Sequence, residues 1–218
     1  MQSPERASET ARLSIKSLIY HLNWMGPMTL PMIVFQAIFV SLALLVQVVL
    51  QLDQFRAQDL SGPLIAIGLL RELGPLTVGL AWIAVVAAFI SQEQEEFTKT
   101  SLPEFFVVRY LAGAIVTGPL VAIATTIGFM AAALFAPVLG VTSTADFMEM
   151  SRQAIADKDI IVFLFKVGLV NPAIAVITGT IYASRMNRPP SFLAAQSVIF
   201  GLVAGTVANC LVTMAFYL

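Results

Sequence analysis

The sequence predicts an all-α integral membrane protein with five transmembrane helices. Hydrophobic residues make up 58% of the 218-residue chain and charged residues 11%, and the mean hydropathy is +0.87. A soluble domain is closer to 45–50% apolar and about 25% charged. The apolar runs are long enough to cross about 30 Å of hydrocarbon, and they lack the alternation of barrel strands. This composition excludes a water-soluble enzyme and a disordered chain.

Five segments have the length of a transmembrane helix. The predicted spans are residues 28–52, 64–90, 111–141, 160–184 and 194–218. The first, third and fifth spans contain no charged residue, whereas the second contains Arg71 and Glu72 and the fourth contains Lys166. We therefore expect residues 28–218 to form one five-helix transmembrane domain, with a short helix in the connection after the third span.

A second, smaller region precedes these spans. Residues 1–27 are expected to form a polar tail and an amphipathic helix. Its apolar residues recur at helical spacing: Ile15, Leu18, Ile19, Leu22 and Met25. Polar residues occupy the other faces, as in a helix that lies in the membrane interface. In this interpretation, Gly26-Pro27 forms the turn between the interfacial helix and the first span. The alternative is that the segment extends the first span.

Net charge and residue counts exclude further classes of function. The net charge of −1 gives no electrostatic reason to expect nucleic acid binding. Cys210 is the one cysteine and His21 the one histidine of the sequence. A disulfide, a zinc site and a Ser-His-Asp triad are therefore not expected. We predict a protein that is not an enzyme and that has no catalytic residue, metal or cofactor.

The distribution of Lys and Arg predicts the orientation. Five spans place the two termini on opposite sides of the membrane. With a cytoplasmic N-terminus, seven Lys and Arg residues fall in inner segments and three in outer segments, in line with the positive-inside rule. Residues 142–159 would then be external.

The second span contains adjacent opposite charges next to a helix-breaking pair. Ionisable residues inside a span usually face protein or a wet cavity, so we expect Arg71 and Glu72 to be buried in protein. Gly74 and Pro75 follow at once, and proline removes a backbone donor and kinks a helix. Two interpretations remain open: a cavity wall or hinge, and a structural ion pair between helices.

The fourth span has a similar arrangement. Lys166 should either extend towards the interface or find a carboxylate, and Glu72 is the candidate partner because the two predicted depths are similar. Asn171 and Pro172 are expected to break the same helix halfway along.

The predicted inner loop, residues 91–109, is acidic at its start. It contains Glu93, Glu95, Glu96, Pro103 and Arg109. A run of like charges at a helix end is usually a solvated face, and the alternative is a docking surface for a soluble partner. In the fifth span, Gly201 and Gly205 allow either close packing within the chain or a dimer interface.

Residues 68–75, with the sequence GLLRELGP, resemble the signature of MlaE-type permeases, the membrane subunits of lipid-transporting ABC systems. The likeness extends from about Lys16 to Leu218 and includes Asp159 and Lys166 of the fourth span. It implies a dimeric permease in a bacterial inner membrane, or in a plastid or other organellar inner membrane. Membrane lipid or another hydrophobic molecule would be the cargo, and a cytoplasmic ATPase and an MCE-domain protein would be partners.

Three departures from the family pattern bear on coupling to an ATPase. Ala84-Val85 stand where the family has a Gly-Arg pair, and Asn209 stands at an acidic position. Glu93 matches a family glutamate, but the cytoplasmic coupling segment that follows is shorter here. The chain contains no G-x-x-x-x-G-K-[ST] motif, so any nucleotide chemistry belongs to a partner. The resemblance therefore leaves two hypotheses: a transporting permease subunit, or a non-transporting relative with a structural role in a larger membrane assembly.

Overall fold

The computed structural model describes residues 4–141, 143–185 and 188–218, with side chains from Ile15 onward. Within these ranges the chain consists of helices and short connections. The ten α-helices are α1 Pro4–Met25, α2 Leu30–Asp53, α3 Ser61–Gly68, α4 Gly79–Gln92, α5 Gln94–Lys99, α6 Leu102–Phe135, α7 Thr144–Ala154, α8 Asp157–Phe165, α9 Asn171–Ala183 and α10 Pro190–Tyr217. Two π-helical segments, Leu69–Val78 and Lys166–Val170, join α3 to α4 and α8 to α9.

Five helical stretches are long and apolar enough to cross a membrane, as predicted. We call them spans one to five: Ile15–Asp53, Gln58–Gln92, Leu102–Leu139, Asp157–Ala183 and Pro190–Tyr217. The all-α transmembrane class is therefore confirmed. The connection with α5 marks one end of the bundle, and the connection with α7 marks the other; we call these the α5 end and the α7 end. Thr142 and the first three residues of the N-terminal tail lie outside the described residues.

Spans two and four continue through their proline residues, so the predicted helix breaks are wrong. Pro75 lies inside one π-helical segment, and Pro172 occupies the first turn of α9 directly after the other. Proline in an α-helix leaves the carbonyl four residues earlier without its donor. A π-helical segment accommodates the defect by widening the turn, and the helix continues on both sides of it.

Helix α1 ends inside the bundle. His21, Trp24 and Met25 are buried, and the Trp82 indole of span two donates to the Met25 carbonyl at 3.0 Å. At Gly26, the Cβ of an added side chain would lie 3.0 Å from Val116 of span three. The last turns of α1 thus pack along the neighbouring spans, while Ile15 and Ile19 remain exposed. An interfacial position stays a prediction for the earlier turns only.

The third span begins at Leu102, nine residues before the predicted start. Pro103, which we predicted to lie in the inner loop, lies in the first turn of this helix. Proline fits that position because the first N–H groups of a helix have no intrahelical acceptor. Arg109 consequently belongs to the span and is 1% exposed, instead of lying in a solvated loop.

Small residues bring the spans into close contact. A Cβ added at Gly128 of span three would lie 2.6 Å from the Ala37 carbonyl oxygen of span one, so only glycine allows this approach. Gly201 and Gly205 of span five face Ile83 and Leu80 of span two. This packing within the chain is the first of the two interpretations left open for the glycine pair.

Candidate functional site

Arg71 of span two pairs with Asp159 at the start of α8. Its Nε donates to Asp159 Oδ1 at 2.7 Å, and the Ala156 backbone N–H donates to the other carboxylate oxygen at 3.2 Å. The Asp159 side chain is 1% exposed, whereas that of Arg71 is 38% exposed. The partner of Arg71 is therefore on another span and is not Glu72, its neighbour in sequence.

Tyr217 closes this pair from span five. Its hydroxyl donates to Asp159 Oδ1 at 2.5 Å. The guanidinium carbon of Arg71 lies 4.6 Å from the centre of the Tyr217 ring, and Lys158 Nζ lies 4.8 Å from it. Both cations are within the range of a cation–π interaction. The last turn of span five is thus held to spans two and four.

Lys166 lies seven residues after Asp159 in span four and is fully buried. Its Nζ donates to the Arg71 carbonyl at 2.5 Å and to Thr213 Oγ1 at 2.6 Å, and it lies 3.4 Å from Glu72 Oε2. Thr213 in turn donates to Glu72 Oε1 at 2.6 Å. The predicted contact between Lys166 and Glu72 is confirmed, and the Thr213 hydroxyl links the two charges.

The bond from Lys166 to the Arg71 carbonyl follows from the position of Pro75. In a regular α-helix, the N–H of residue 75 would donate to the carbonyl of residue 71. Proline has no N–H, so the Lys166 ammonium supplies a donor to this carbonyl instead. The same proline that shapes the π-helical segment therefore creates part of the lysine site.

A layer of asparagine side chains continues the contacts among the same three spans. Asn171 Nδ2 donates to the Pro75 carbonyl at 3.2 Å, and Asn209 Nδ2 donates to Asn171 Oδ1 at 2.9 Å. Both residues are fully buried. A side chain at Gly79 would overlap the amide of Asn171. Asn209, which stands at an acidic position of the family, thus forms a neutral contact here.

We call Arg71, Glu72, Asp159, Lys166, Thr213 and Tyr217 the intramembrane cluster. It contains two cations and two carboxylates, so its formal charge is zero. Balanced, hydrogen-bonded charges are the arrangement that makes ionisable groups tolerable inside a membrane. Arg71 and Glu72 are each 38% exposed, so the expectation that both are buried in protein is wrong. In each of the two ion pairs the buried member is the partner, Asp159 or Lys166.

A second cluster lies at the α5 end of the bundle. His21 Nδ1 donates to the Ser17 carbonyl at 2.7 Å, and its Nε2 lies 3.2 Å from Glu93 Oε1. Arg109 Nε donates to Glu93 Oε2 at 2.6 Å. Arg109 also lies 3.3 Å from Glu96, an ion pair without hydrogen-bond alignment. We call these five residues the α5-end cluster.

The environment of Glu93 determines its protonation. Burial raises the pKa of its carboxyl, but the hydrogen bond with His21 and the charge of Arg109 outweigh burial, and the pKa is lowered from its ordinary value. Glu93 is therefore a carboxylate at neutral pH. At the end of span two, its carboxylate contacts both His21 of α1 and Arg109 of span three.

The structure separates the residues that we predicted for a docking loop. Glu93, Glu96 and Arg109 contact one another inside the chain, whereas Glu95 is exposed, and so is Pro103. Sequence reasoning did not find His21, Thr213 and Tyr217. His21 was set aside because a lone histidine seldom forms a site, and nothing in the sequence distinguishes the two hydroxyl residues of span five from other polar residues there. Asp159 was found through the family resemblance, but its contact with Arg71 was not predicted.

The described residues contain no group of three or more His, Cys, Asp or Glu side chains that could hold a metal ion. The polar groups of the intramembrane cluster contact one another across three spans. This arrangement can hold the three helices in register.

A comparison with models of protein families finds a match in the first part of the chain. Residues 18–94 match the family model Permease MlaE. The MlaE-type resemblance is thereby confirmed for about a third of the chain, from α1 to the start of α5. This MlaE-type segment contains Arg71, Glu72 and Pro75, together with His21 and Glu93. A comparison with curated proteins gives no match.

The match supports a permease-type membrane subunit of lipid ABC transport. It does not extend to Asp159, Lys166, Thr213 and Tyr217, which complete the intramembrane cluster, nor to Arg109. The MlaE-type segment thus supplies Arg71 and Glu72 to the intramembrane cluster and His21 and Glu93 to the α5-end cluster, and the other members of both clusters lie outside it. It ends at Gln94, within the acidic run at the start of the predicted inner loop.

Proposed function

We propose that this chain is the permease subunit of an ABC system that moves phospholipid or another hydrophobic molecule, and that a separate cytoplasmic ATPase drives it. The observation that carries the proposal is the contact of Lys166 and Thr213 with Glu72, which lies in the π-helical region of the MlaE-type segment. It joins the two π-helical spans to span five at a depth where charges are costly.

The proposed role of the cluster is that of a hinge. π-Helical turns are frequent at functional sites, and here two of them meet through side chains rather than through regular backbone bonds. Gly74, Pro75, Asn171 and Pro172 would permit the bend, and the charged groups would define its resting position. Motion of spans two and four against span five would then open a path for lipid.

We further propose that the N-terminus is cytoplasmic, so that the α5 end faces the ATPase, and that the protein lies in a bacterial inner membrane or an organellar inner membrane. A second permease subunit and an MCE-domain protein would complete the complex. Because Glu93, Glu96 and Arg109 pair within the chain, the ATPase contact would use Glu95, Lys99 and the turn before Pro103.

A structural role in a larger membrane assembly, without transport, is the second candidate. It is favoured by the size of α5, which has only six residues, and by the end of the family match at Gln94. A standard interface buries about 800 Å² on each partner, and so short a helix supplies little of that area. In this case the intramembrane cluster would serve stability alone.

The test is reconstitution with a cytoplasmic ATPase of an MlaE-type system, followed by measurement of lipid transfer and of lipid-stimulated ATP hydrolysis. Thr213→Val removes the hydroxyl between Lys166 and Glu72 and keeps both charges. Thr206→Val is the matched control, since Thr206 lies in the same helix and donates only to the Leu202 carbonyl. The transport proposal expects a loss of transfer with Thr213→Val and normal transfer with Thr206→Val.

Two outcomes would favour the structural role. One is the absence of stimulated hydrolysis in the wild-type complex. The other is purification of the chain from mild detergent in a large assembly that lacks both an ATPase and an MCE-domain protein. Strong hydrolysis that Glu95→Lys and Lys99→Glu abolish would show that the short α5 segment couples normally.

A further inference from the structure

An apolar groove opens on the side of the bundle between spans three and four. It encloses about 250 Å³. Buried residues form its floor: Ala66, Leu69, Thr125 and Phe163. Exposed residues form its rim: Thr126, Ile160 and Leu164. The groove shares no residue with the intramembrane cluster, although Leu70 and Ile160 of its lining are the sequence neighbours of Arg71 and Asp159.

The groove exists because spans three and four separate towards the α7 end. Helix α6 packs against Lys166–Val170 and against α9, but α8 packs mainly on the π-helical segment of span two. Span two therefore forms the floor where the other two spans diverge. Leu69 and Phe163, each 3% exposed, lie at the bottom of this space.

The chemistry of the walls is almost entirely apolar. None of the described residues that line the groove is charged. The Thr126 hydroxyl donates to the Ala122 carbonyl at 2.8 Å, so it is already paired. The Thr125 hydroxyl is the remaining polar group at the floor. Water in a cavity needs two to four polar partners, so a group of water molecules would be poorly held here.

The rim is continuous with the surface that an integral membrane protein presents to lipid. Ile123 and Ile127 on span three are exposed, as are Ile161 and Phe165 on span four. An acyl chain can therefore pass from the surrounding lipid into the groove without leaving an apolar environment.

We propose that this groove binds one acyl chain of a membrane phospholipid, taken from the leaflet at the α7 end. The chain would act as a wedge that fills the gap between spans three and four. The site does not depend on transport, because a purely structural subunit in the same membrane would bind the chain equally well. Its failure and the failure of the transport proposal are therefore distinguishable.

The experiment uses the full chain in nanodiscs of phosphatidylethanolamine and phosphatidylglycerol, doped with a phospholipid that carries a diazirine midway along one acyl chain. After illumination, mass spectrometry locates the adducts. We expect adducts on Leu69 and Phe163, which acyl chains outside the groove cannot reach. Val203 of span five is exposed and serves as the internal standard for ordinary lipid contact.

Ala66→Phe fills the floor and is expected to remove the adducts on Leu69 and Phe163 while those on Val203 persist. If this variant does not fold, Ala122→Phe narrows the same groove from its half-buried wall. Adducts on Val203 without any on Leu69 and Phe163 in the wild type would overturn the proposal. Labelling of the two floor residues by a water-soluble diazirine would also overturn it, because the groove would then be hydrated.

Discussion

The intramembrane cluster and the α5-end cluster are built from similar charged groups, but different parts of the chain hold them. In the first, Lys166 bonds to a backbone carbonyl beside Pro75, so an irregular helix supplies part of the site. In the second, Arg109 and His21 meet the side chain of Glu93 at a helix end. The cluster within the spans thus includes a carbonyl of a proline-containing π-helical segment, whereas the charged groups at the helix end meet through side chains alone.

The two clusters also differ in how far they are withdrawn from water. Lys166 and Asp159 lie inside a span and depend on three neighbouring helices, whereas Glu93 lies where span two ends. Desolvation increases the cost of an unpaired charge. We therefore expect the intramembrane cluster to be the more sensitive to loss of one partner, and the α5-end cluster to be the more sensitive to pH.

The largest effect is expected from Lys166→Met. It leaves Glu72 and the Arg71 carbonyl without their shared donor, and breaking a buried pair costs about 3–5 kcal/mol; the 38% exposure of Glu72 places the effect at the lower end. The double change Lys166→Met with Glu72→Gln should be less harmful than the single change. The measurement is unfolding in mixed detergent and SDS. Equal effects of the two variants would contradict the paired-charge interpretation.

Glu93→Gln should have the next largest effect. It leaves Arg109, which is 1% exposed, with Glu96 as its remaining carboxylate, and weakening a hydrogen bond to a charged group costs about 1.5–3 kcal/mol. Because α1 is tied to span three through Glu93, the change should also expose the α1 segment to proteolysis. Limited proteolysis of the solubilised variant checks this, with cleavage before Met25 as the expected product.

The pH dependence of stability provides a third comparison. The pKa of Glu93 is lowered on folding, so its carboxylate stabilises the protein above the ordinary pKa of 4.5. This contribution is lost as the pH falls through the lowered value. Melting temperatures measured from neutral pH into this acidic range should fall more steeply for the wild type than for Glu93→Gln. Parallel curves for the two proteins would rule out this assignment.

Glu95→Gln should have the smallest effect and is the matched control for Glu93→Gln. Glu95 is 92% exposed, and its ion pair with Lys99 lies on the surface, where such pairs contribute little. We expect no measurable change in unfolding. A clear loss of stability would mean that α5 packs against something other than the residues described for this chain.

Much of the fold could be predicted from the sequence because hydrocarbon imposes simple requirements. Apolar length determines where a span lies, and the second, fourth and fifth spans were predicted within a few residues at both ends. The first span begins thirteen residues earlier than predicted because it includes the last turns of α1, and the third begins nine residues earlier. There, charge and Pro103 suggested a loop, but the pairing of Arg109 with Glu93 allows the helix to begin at Leu102. The pairing depends on contact between segments, which local patterns do not contain.

The candidate site was predictable only in part. A charge in an apolar run is visible in the sequence, which is why Arg71, Glu72 and Lys166 could be named, and the similar depths of Glu72 and Lys166 led to their contact. Asp159 was harder to assign as the partner of Arg71 because it lies at the end of its span, where a carboxylate needs no partner.

By itself, the sequence determined that the chain is helical, that it has five segments able to cross a membrane and that Arg71, Glu72 and Lys166 lie within the second and fourth of them, because these properties follow from length and polarity. The tertiary structure decided which charges pair, because an ion pair depends on distances between helices. It also decided that span two continues through Pro75 as a π-helical segment, where Lys166 and Asn171 of span four donate to the carbonyls of Arg71 and Pro75.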